Sequence, residues 1–171
     1  MSKKIRMGRL FNYNSDKTFL LPIDHGITLG PIKGINSYCD TVKLAASGGV
    51  DAVIAHKGTI KKLIEENIYG SIIVYIMHLS ASTALAPYSE KKVLVTQVEE
   101  ALTYGVDGIS IHVNLGGEDE AQMLKDFGYV SNECEKWGIP LLAMMYAKGA
   151  ENESQYYITP YKSKRKKWEL I

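Results

Sequence analysis

Gly49-Val50-Asp51-Ala52-Val53-Ile54 returns as Gly105-Val106-Asp107-Gly108-Ile109-Ser110, and more loosely as Gly138-Ile139-Pro140-Leu141-Leu142. In each copy a glycine ends a helical stretch, where the left-handed conformation it tolerates is needed, and an apolar run follows. A repeated helix–glycine–strand joint is the signature of stacked strand–helix units.

Working outward, five apolar runs stand out: Phe19–Ile23, Ala52–Ala55, Ile72–Met77, Gly108–Ile111 and Leu141–Met145. They lack strict polar alternation, which suits strands buried on both faces of a parallel sheet. Helical stretches lie between them. Ser37–Ser47 presents Val42, Leu44, Ala45 and Ala46 as an inner face. Lys91–Tyr104 spaces Leu94, Val98, Ala101 and Leu102 by three or four, and Glu118–Trp137 does the same with Met123, Leu124, Phe127, Val130 and Cys134. Thr59–Asn67 is a shorter helix. The pattern predicts either a doubly wound sheet or a barrel. Five strands and four crossovers occupy roughly 150 residues, whereas a full barrel takes about 250.

The 171 residues are 46% hydrophobic and 23% charged, with a net charge of +1, which favours neither nucleic acid nor a membrane surface as partner. That balance hides a basic tail: Lys162, Lys164, Arg165, Lys166 and Lys167 face only Glu169, leaving the rest mildly acidic. Residues 150–171 have neither an apolar strand run nor a clean helical face and are expected to be mostly irregular or weakly helical. The N-terminus is basic without an apolar signal core, and no apolar run reaches the ~20 residues that span a bilayer. Cys39 and Cys134 form no CxxC pair and read as buried helix residues. A cytoplasmic protein is expected.

All four histidines fall at predicted strand ends: His25, His56, His78 and His112 follow the first four strands, and Tyr146 closes the fifth. In a parallel α/β fold these ends form one rim, where active sites are built. A single histidine there is as often a hydrogen-bonded core residue as a functional one; four together favour a site. Asp24 takes or gives a proton if partly buried, or else caps a helix. Tyr146 donates through its phenol or simply packs. Lys57 pairs with a phosphate or with Asp24. Ser80, Ser82 and Thr83 line the pocket or, more commonly for such residues, cap a helix. Gly26, Gly30 and Gly34 make no GxGxxG, so no dinucleotide site is expected. No HxH or HxxxH pair supports a metal, and none is expected, nor any other cofactor.

Pro22-Ile23-Asp24-His25-Gly26, His56-Lys57-Gly58, His78-Leu79-Ser80-Ala81-Ser82-Thr83, Ser110-Ile111-His112-Val113-Asn114 and Trp137-Gly138-Ile139-Pro140 through Tyr146 form one ordered set. It resembles the archaeal-type class I (Schiff-base) aldolase family, closest to its 2-amino-3,7-dideoxy-D-threo-hept-6-ulosonate synthase branch, with fructose-bisphosphate aldolases near by. The resemblance runs from about Lys4 to Gly149. It implies a partial (βα)8 barrel over 1–149, about five parallel strands and four helices, with an irregular polar and basic tail over 150–171. It also implies a homo-oligomer and carbon–carbon bond chemistry on a sugar phosphate with aspartate semialdehyde as acceptor. By resemblance Asp24 is the proton acceptor and Tyr146 the donor. His25, Gly26, Ile27, Thr28, His56, Lys57, Ala147 and Lys148 line the substrate site with them.

Two departures stand out. The family reads Tyr-Pro-Arg-Gly where this chain has Tyr146-Ala147-Lys148-Gly149, and a lysine holds a phosphate without arginine's planar fork. The family's Schiff-base lysine lies on a sixth strand that has no match here. Lys162, Lys164, Lys166 and Lys167 sit in a polar run, where an exposed amine stays protonated. The expectation is therefore a truncated member whose own lysines include none in a dry pocket, inactive by itself. The alternatives are a fructose-bisphosphate aldolase-like activity, a non-catalytic partner of a full-length paralogue, and a metal-dependent lyase built on the rim histidines.

Overall fold

The computed structural model describes residues 2–12, 15–69, 73–87 and 89–148, together with the backbone of 168–170. Five parallel strands run in the order β1 (Leu20–Pro22), β2 (Ala52–Ala55), β3 (Val74–His78), β6 (Gly108–Leu115) and β7 (Leu141–Ala147). A short antiparallel hairpin, β4 (Ser80–Ala81) with β5 (Val93–Leu94), interrupts the series above the end of β3. The sheet curls as the front of a barrel, with helices α3 (Tyr38–Ser47), α4 (Lys57–Glu65), α5 (Val98–Thr103) and α6 (Glu120–Trp137) as crossovers. The expected partial barrel is observed.

The repeated joints behave as read. Gly49, Gly105 and Gly138 all have positive φ, of 86°, 70° and 59°, and each turns the chain from a helix into the following strand. Ser37 caps α3 by accepting from the Asp40 amide at 3.2 Å. Along α3, Val42 is fully buried while Leu44 is 74% exposed, so the inner face is narrower than the spacing suggested. On α6, Met123, Val130 and Cys134 are buried and Leu124 is exposed. Burial pushes the Cys134 thiol up to about 12, consistent with an inert packed cysteine.

Two helices go beyond the four expected. α2 (His25–Leu29) is a short turn of helix directly after β1. α1 (Lys3–Leu10) plugs the opening at the strands' N-terminal ends. Its Leu10 is buried in the barrel interior with Ala52, Ile54, Ile76, Leu142 and Met144. Arg6 donates to the Val106 carbonyl, and Arg9 reaches Asp107 at 2.9 Å, with Arg6 at 3.6 Å from the same carboxylate oxygen.

The structure also corrects two segments. The helix expected over Lys91–Tyr104 begins only at Val98, because Val93 and Leu94 pair with Ala81 and Ser80 instead. The tail was expected to be mostly irregular or weakly helical. Instead β8 (Trp168–Leu170) lies antiparallel to β7, pairing Leu142 with Leu170 and Met144 with Trp168. An open strand edge presents unpaired N–H and C=O groups, and β8 satisfies some of those of β7. The other tail residues, Lys162, Lys164, Lys166 and Lys167 among them, lie outside the described residues.

Candidate active site

The rim collects side chains at or just past the ends of β1, β2, β3 and β7, whereas His112, expected just past the fourth strand, lies within β6, which runs on to Leu115. Asp24 precedes α2 but does not cap it, since its side chain makes no cap hydrogen bond. Its carboxyl group is only 16% exposed and turns inward instead. Oδ2 lies 3.6 Å from Nε2 of His78, and Oδ1 lies 3.5 Å from Nδ1 of His25. Oδ1 is buried without a hydrogen-bond partner. A buried carboxylate oxygen left unpaired costs stability and is unusual unless the group has another use.

Three imidazoles form the floor. His56 is buried, and its Nδ1 lies 3.1 Å from the His78 carbonyl, which can only accept, so Nδ1 carries the proton. The His56 and His78 rings meet edge to face at 5.3 Å. His78 Nδ1 lies 2.8 Å from Ser110 Oγ on the neighbouring strand. Burial pushes His78 well below the usual histidine range, and His56, His112, Lys92 and His25 act the same way. Burial also lowers His56, against the opposing field of Asp24. His112 is pushed down to about 4, again chiefly by burial. At neutral pH the floor is thus uncharged.

A second group sits beside β6 and β7. Tyr146 stacks on His112 with ring centres 4.5 Å apart and planes within 15°. His112 Nε2 donates to Asn114 Oδ1 at 2.8 Å, and Asn114 Nδ2 donates to the Glu90 carbonyl at 3.0 Å. Glu90 Oε2 lies 3.0 Å from Lys148 Nζ, and that amine holds the Glu90 carboxyl below its ordinary range. Ala147 ends β7 opposite Leu115, whose carbonyl accepts from the Lys148 amide at 2.7 Å.

The remaining expected residues divide. His25 is half exposed at the mouth. Gly26 leaves room for Tyr38, whose Oη would lie 2.5 Å from an added Cβ. The Thr28 carbonyl accepts from the Ala84 amide at 2.8 Å and ties α2 to the hairpin, while Ile27 faces solvent. Lys57 does not reach Asp24. Its Nζ donates to Glu100 Oε1 on α5 at 2.7 Å, which raises the amine's pKa.

Sequence reasoning missed the residues that the hairpin delivers. Ser80 and Ser82 were expected to line the pocket or, more commonly for such residues, to cap a helix. Ser80 Oγ instead accepts from the His112 amide at 3.1 Å, and Ser82 Oγ donates to the Ser89 carbonyl at 2.6 Å. Lys92 Nζ donates to Ser82 Oγ at 3.0 Å and is half-buried. Burial lowers its pKa, with Lys148 acting the same way against Glu90 and Asp24. The expectation was that no amine sits in a dry pocket, and Lys92 is the half-buried amine that bears on it. Nothing local in Lys91-Lys92 signals it, because the burial comes from a hairpin closed over non-local neighbours. Among the described residues no cluster of three His, Cys, Asp or Glu is placed to hold a metal ion. Likewise no helix among them is long and apolar enough to cross a membrane.

Known proteins give this arrangement a context. Residues 18–167 match the model of the DeoC/LacD family aldolases. A 2-amino-3,7-dideoxy-D-threo-hept-6-ulosonate synthase 1 from Archaeoglobus fulgidus is 44% identical over 151 residues, which are 88% of this chain and 55% of that protein. A 2-amino-4,5-dihydroxy-6-oxo-7-(phosphonooxy)heptanoate synthase from Streptomyces griseus is 40% identical over 148 residues, 86% of this chain and 53% of that one. The chain thus spans about half the length of the curated relatives it matches. The crystal structure of an archaeal fructose 1,6-bisphosphate aldolase superposes with a TM-score of 0.74 at 24% identity, covering 86% of this chain and 58% of that one. On the strength of the family match, the chain belongs to the DeoC/LacD aldolases.

Proposed function

We propose that this chain carries the acid–base side of an aldolase site, making or breaking a carbon–carbon bond next to the ketone of a sugar phosphate. Asp24 takes the proton and Tyr146 supplies one. The observation that carries this reading is the inward-turned carboxyl of Asp24, with one buried oxygen unpaired, on the rim of an aldolase-family fold. A carboxylate kept clear of hydrogen-bond donors is available as a base. Burial disfavours the charged forms of His78 and His56 on this side of Asp24. Tyr146 lies flat on His112, on the parallel strand farthest in sheet order from β1, which Asp24 follows.

The synthase relatives, at 40% and 44% identity, favour the synthase branch over fructose bisphosphate, and aspartate semialdehyde is the acceptor that the resemblance to that branch implies. Because the match covers about half of those relatives, a second reading is a chain that completes its site with another polypeptide.

The test is exchange of deuterium from solvent into the carbon beside the ketone of dihydroxyacetone phosphate or fructose 1,6-bisphosphate, followed by mass spectrometry. Asp24→Asn lowers the exchange rate by about 10²- to 10⁴-fold, the usual range for a general base. Exchange that is absent from the wild-type chain alone but restored by a full-length relative supports the second reading. Exchange indifferent to Asp24→Asn overturns both.

A further inference from the structure

Asn114 is a buried amide near the end of β6, and both ends of its side chain are engaged. Nδ2 donates to the Glu90 carbonyl at 3.0 Å and to Glu90 Oε2 at 3.3 Å. Oδ1 lies 2.8 Å from Nε2 of His112, two residues back on the same strand. Residues two apart on a strand share a face. Asn114 is also the register partner of Tyr146 on β7, and the Tyr146 ring stacks on His112. One amide thus bonds to one member of the stack and sits across from the other.

We propose that Asn114 is a positioning residue for the proton donor of this rim: it fixes the tautomer and ring plane of His112, and His112 in turn fixes the plane of the Tyr146 phenol. The inference rests on the acid–base reading above. It deepens that reading by naming the group that holds the acid, a group that acts through its neighbour and not on the substrate.

The hydrogen-bond roles fix the direction of the chain of contacts. Glu90 offers Asn114 a carbonyl and a carboxylate, and Lys148 keeps that carboxylate ionised by holding it below its ordinary range. Both groups only accept, so the amino end of Asn114 must face Glu90 and its oxygen must face His112. That oxygen only accepts as well. His112 Nε2 therefore carries the ring proton, and Nδ1 is bare while the ring is neutral. Burial keeps the ring neutral at physiological pH, with its pKa pushed down to about 4. A ring tied at Nε2 cannot swing about its Cβ–Cγ bond without giving up its bond to a buried amide. Tyr146, 4.5 Å away and within 15° of parallel, is restrained with it. A donor pinned before the substrate arrives has less freedom to lose in the reaction.

The anchor of this arrangement lies outside the parallel strands. Glu90 belongs to the excursion between β4 and β5, and its carboxylate also meets Lys148 Nζ at 3.0 Å, directly past β7. Glu90 therefore ties the excursion to β6 through Asn114 and to the end of β7 through Lys148. The His112–Tyr146 stack lies on the two strands that are braced in this way. An amide that only closed this brace would need its contacts to Glu90 alone; the bond to His112 is what a positioning role adds.

NMR of the full chain carrying isotope-labelled histidine reads the tautomer without any substrate. His112 should be protonated at Nε2 in the wild type and should become a mixture of tautomers in Asn114→Leu. Protonation at Nδ1 in the wild type, or a tautomer indifferent to Asn114→Leu, overturns the proposal. The second measurement is the deuterium exchange described above, expressed per folded molecule. Asn114→Leu should lower it by about 10²-fold, the scale of a misplaced reacting group. His112→Phe keeps a flat ring on Tyr146 but has no proton to place, and it should lower exchange as well. The double variant should lower it no further than the worse single one. Additive losses would mean that Asn114 does not act through His112, and unchanged exchange in Asn114→Leu would mean that it positions nothing; either overturns the proposal. A merely structural amide would lower the urea midpoint while leaving the tautomer and the exchange per folded molecule where they were. If exchange is absent or ignores Tyr146→Phe, the acid–base reading falls and the proposal falls with it. If exchange needs Tyr146 while His112 carries its proton on Nδ1, the proposal alone falls.

Discussion

Oδ2 of Asp24 and Nε2 of His78 lie 3.6 Å apart, too far for a hydrogen bond and with no opposite charge between them while His78 is neutral. The chain buries most of this carboxyl group, and its other oxygen, Oδ1, has no hydrogen-bond partner. Structure alone gives no reason to keep such a group. Asp24→Asn removes the desolvated charge at nearly constant shape and is expected to raise stability by about 1 kcal/mol, the scale of one unsatisfied polar group. Urea unfolding of the two proteins measures it. A loss of stability of similar size would mean that Asp24 has a structural partner after all.

Gly26 and Tyr38 are matched across the mouth of the site. A Cβ on residue 26 would stand 2.5 Å from Tyr38 Oη and 3.7 Å from Cζ. Only the hydroxyl is in the way. Gly26→Ala should cost about 1–3 kcal/mol, as overpacking usually does. Tyr38→Phe in the same chain should recover most of that loss. A double-mutant cycle on unfolding free energies reads the coupling directly, and additive effects would disprove the clash.

Most of the rim was legible in the sequence because histidine and tyrosine interrupt apolar runs near strand ends, although β6 continues past His112 to Leu115. His78 and His56 are thus found from sequence, and the Gly49, Gly105 and Gly138 joints fix which end of each strand they occupy. Lys92 was not legible. It stands at the start of a stretch whose apolar spacing resembles a helix, and only the pairing of Val93 and Leu94 with β4 turns it inward. Arg6 and Arg9 were read as part of a basic terminus for a similar reason. Their partners, Val106 and Asp107, lie about a hundred residues away in the chain. Local pattern carries element type and strand polarity, whereas a polar side chain's destination depends on long-range pairing that the pattern does not encode.

Those arginines make a sharp prediction about the barrel floor. Asp107 and Arg6 are each 11% exposed at the side chain, whereas Arg9 is 48% exposed. Asp107→Ala leaves the Arg6 guanidinium buried without its counter-charge and should destabilise the protein by about 3 kcal/mol. Arg9→Ala removes the shorter contact, at 2.9 Å, yet should cost less than about 1 kcal/mol because that partner is screened by water. Burial, and not the length of the contact, decides the order. The reverse order in chemical denaturation would show that α1 is loosely seated.

Acid should loosen the site before it titrates the surface carboxylates. His56, His78 and His112 all have folded pKa values below 6.5, chiefly through burial, with His112 at about 4. Below pH 6.5 the unfolded chain takes up protons that the folded chain refuses, so stability must fall as the pH drops from 6.5 toward 4. For His112 the loss is complete once the pH has passed through about 4, and above 6.5 its contribution is whole and constant. His112→Gln keeps a side chain able to donate to Asn114 and removes one of the three titrations. Urea midpoints measured from pH 7.5 to pH 4 should therefore fall less steeply in this variant, even though its stability at pH 7.5 is lower for want of the stack on Tyr146. An unchanged slope would mean that the folded protein already protonates His112 in that window. The imidazole would then be a charged neighbour of Lys92 and not part of a neutral floor.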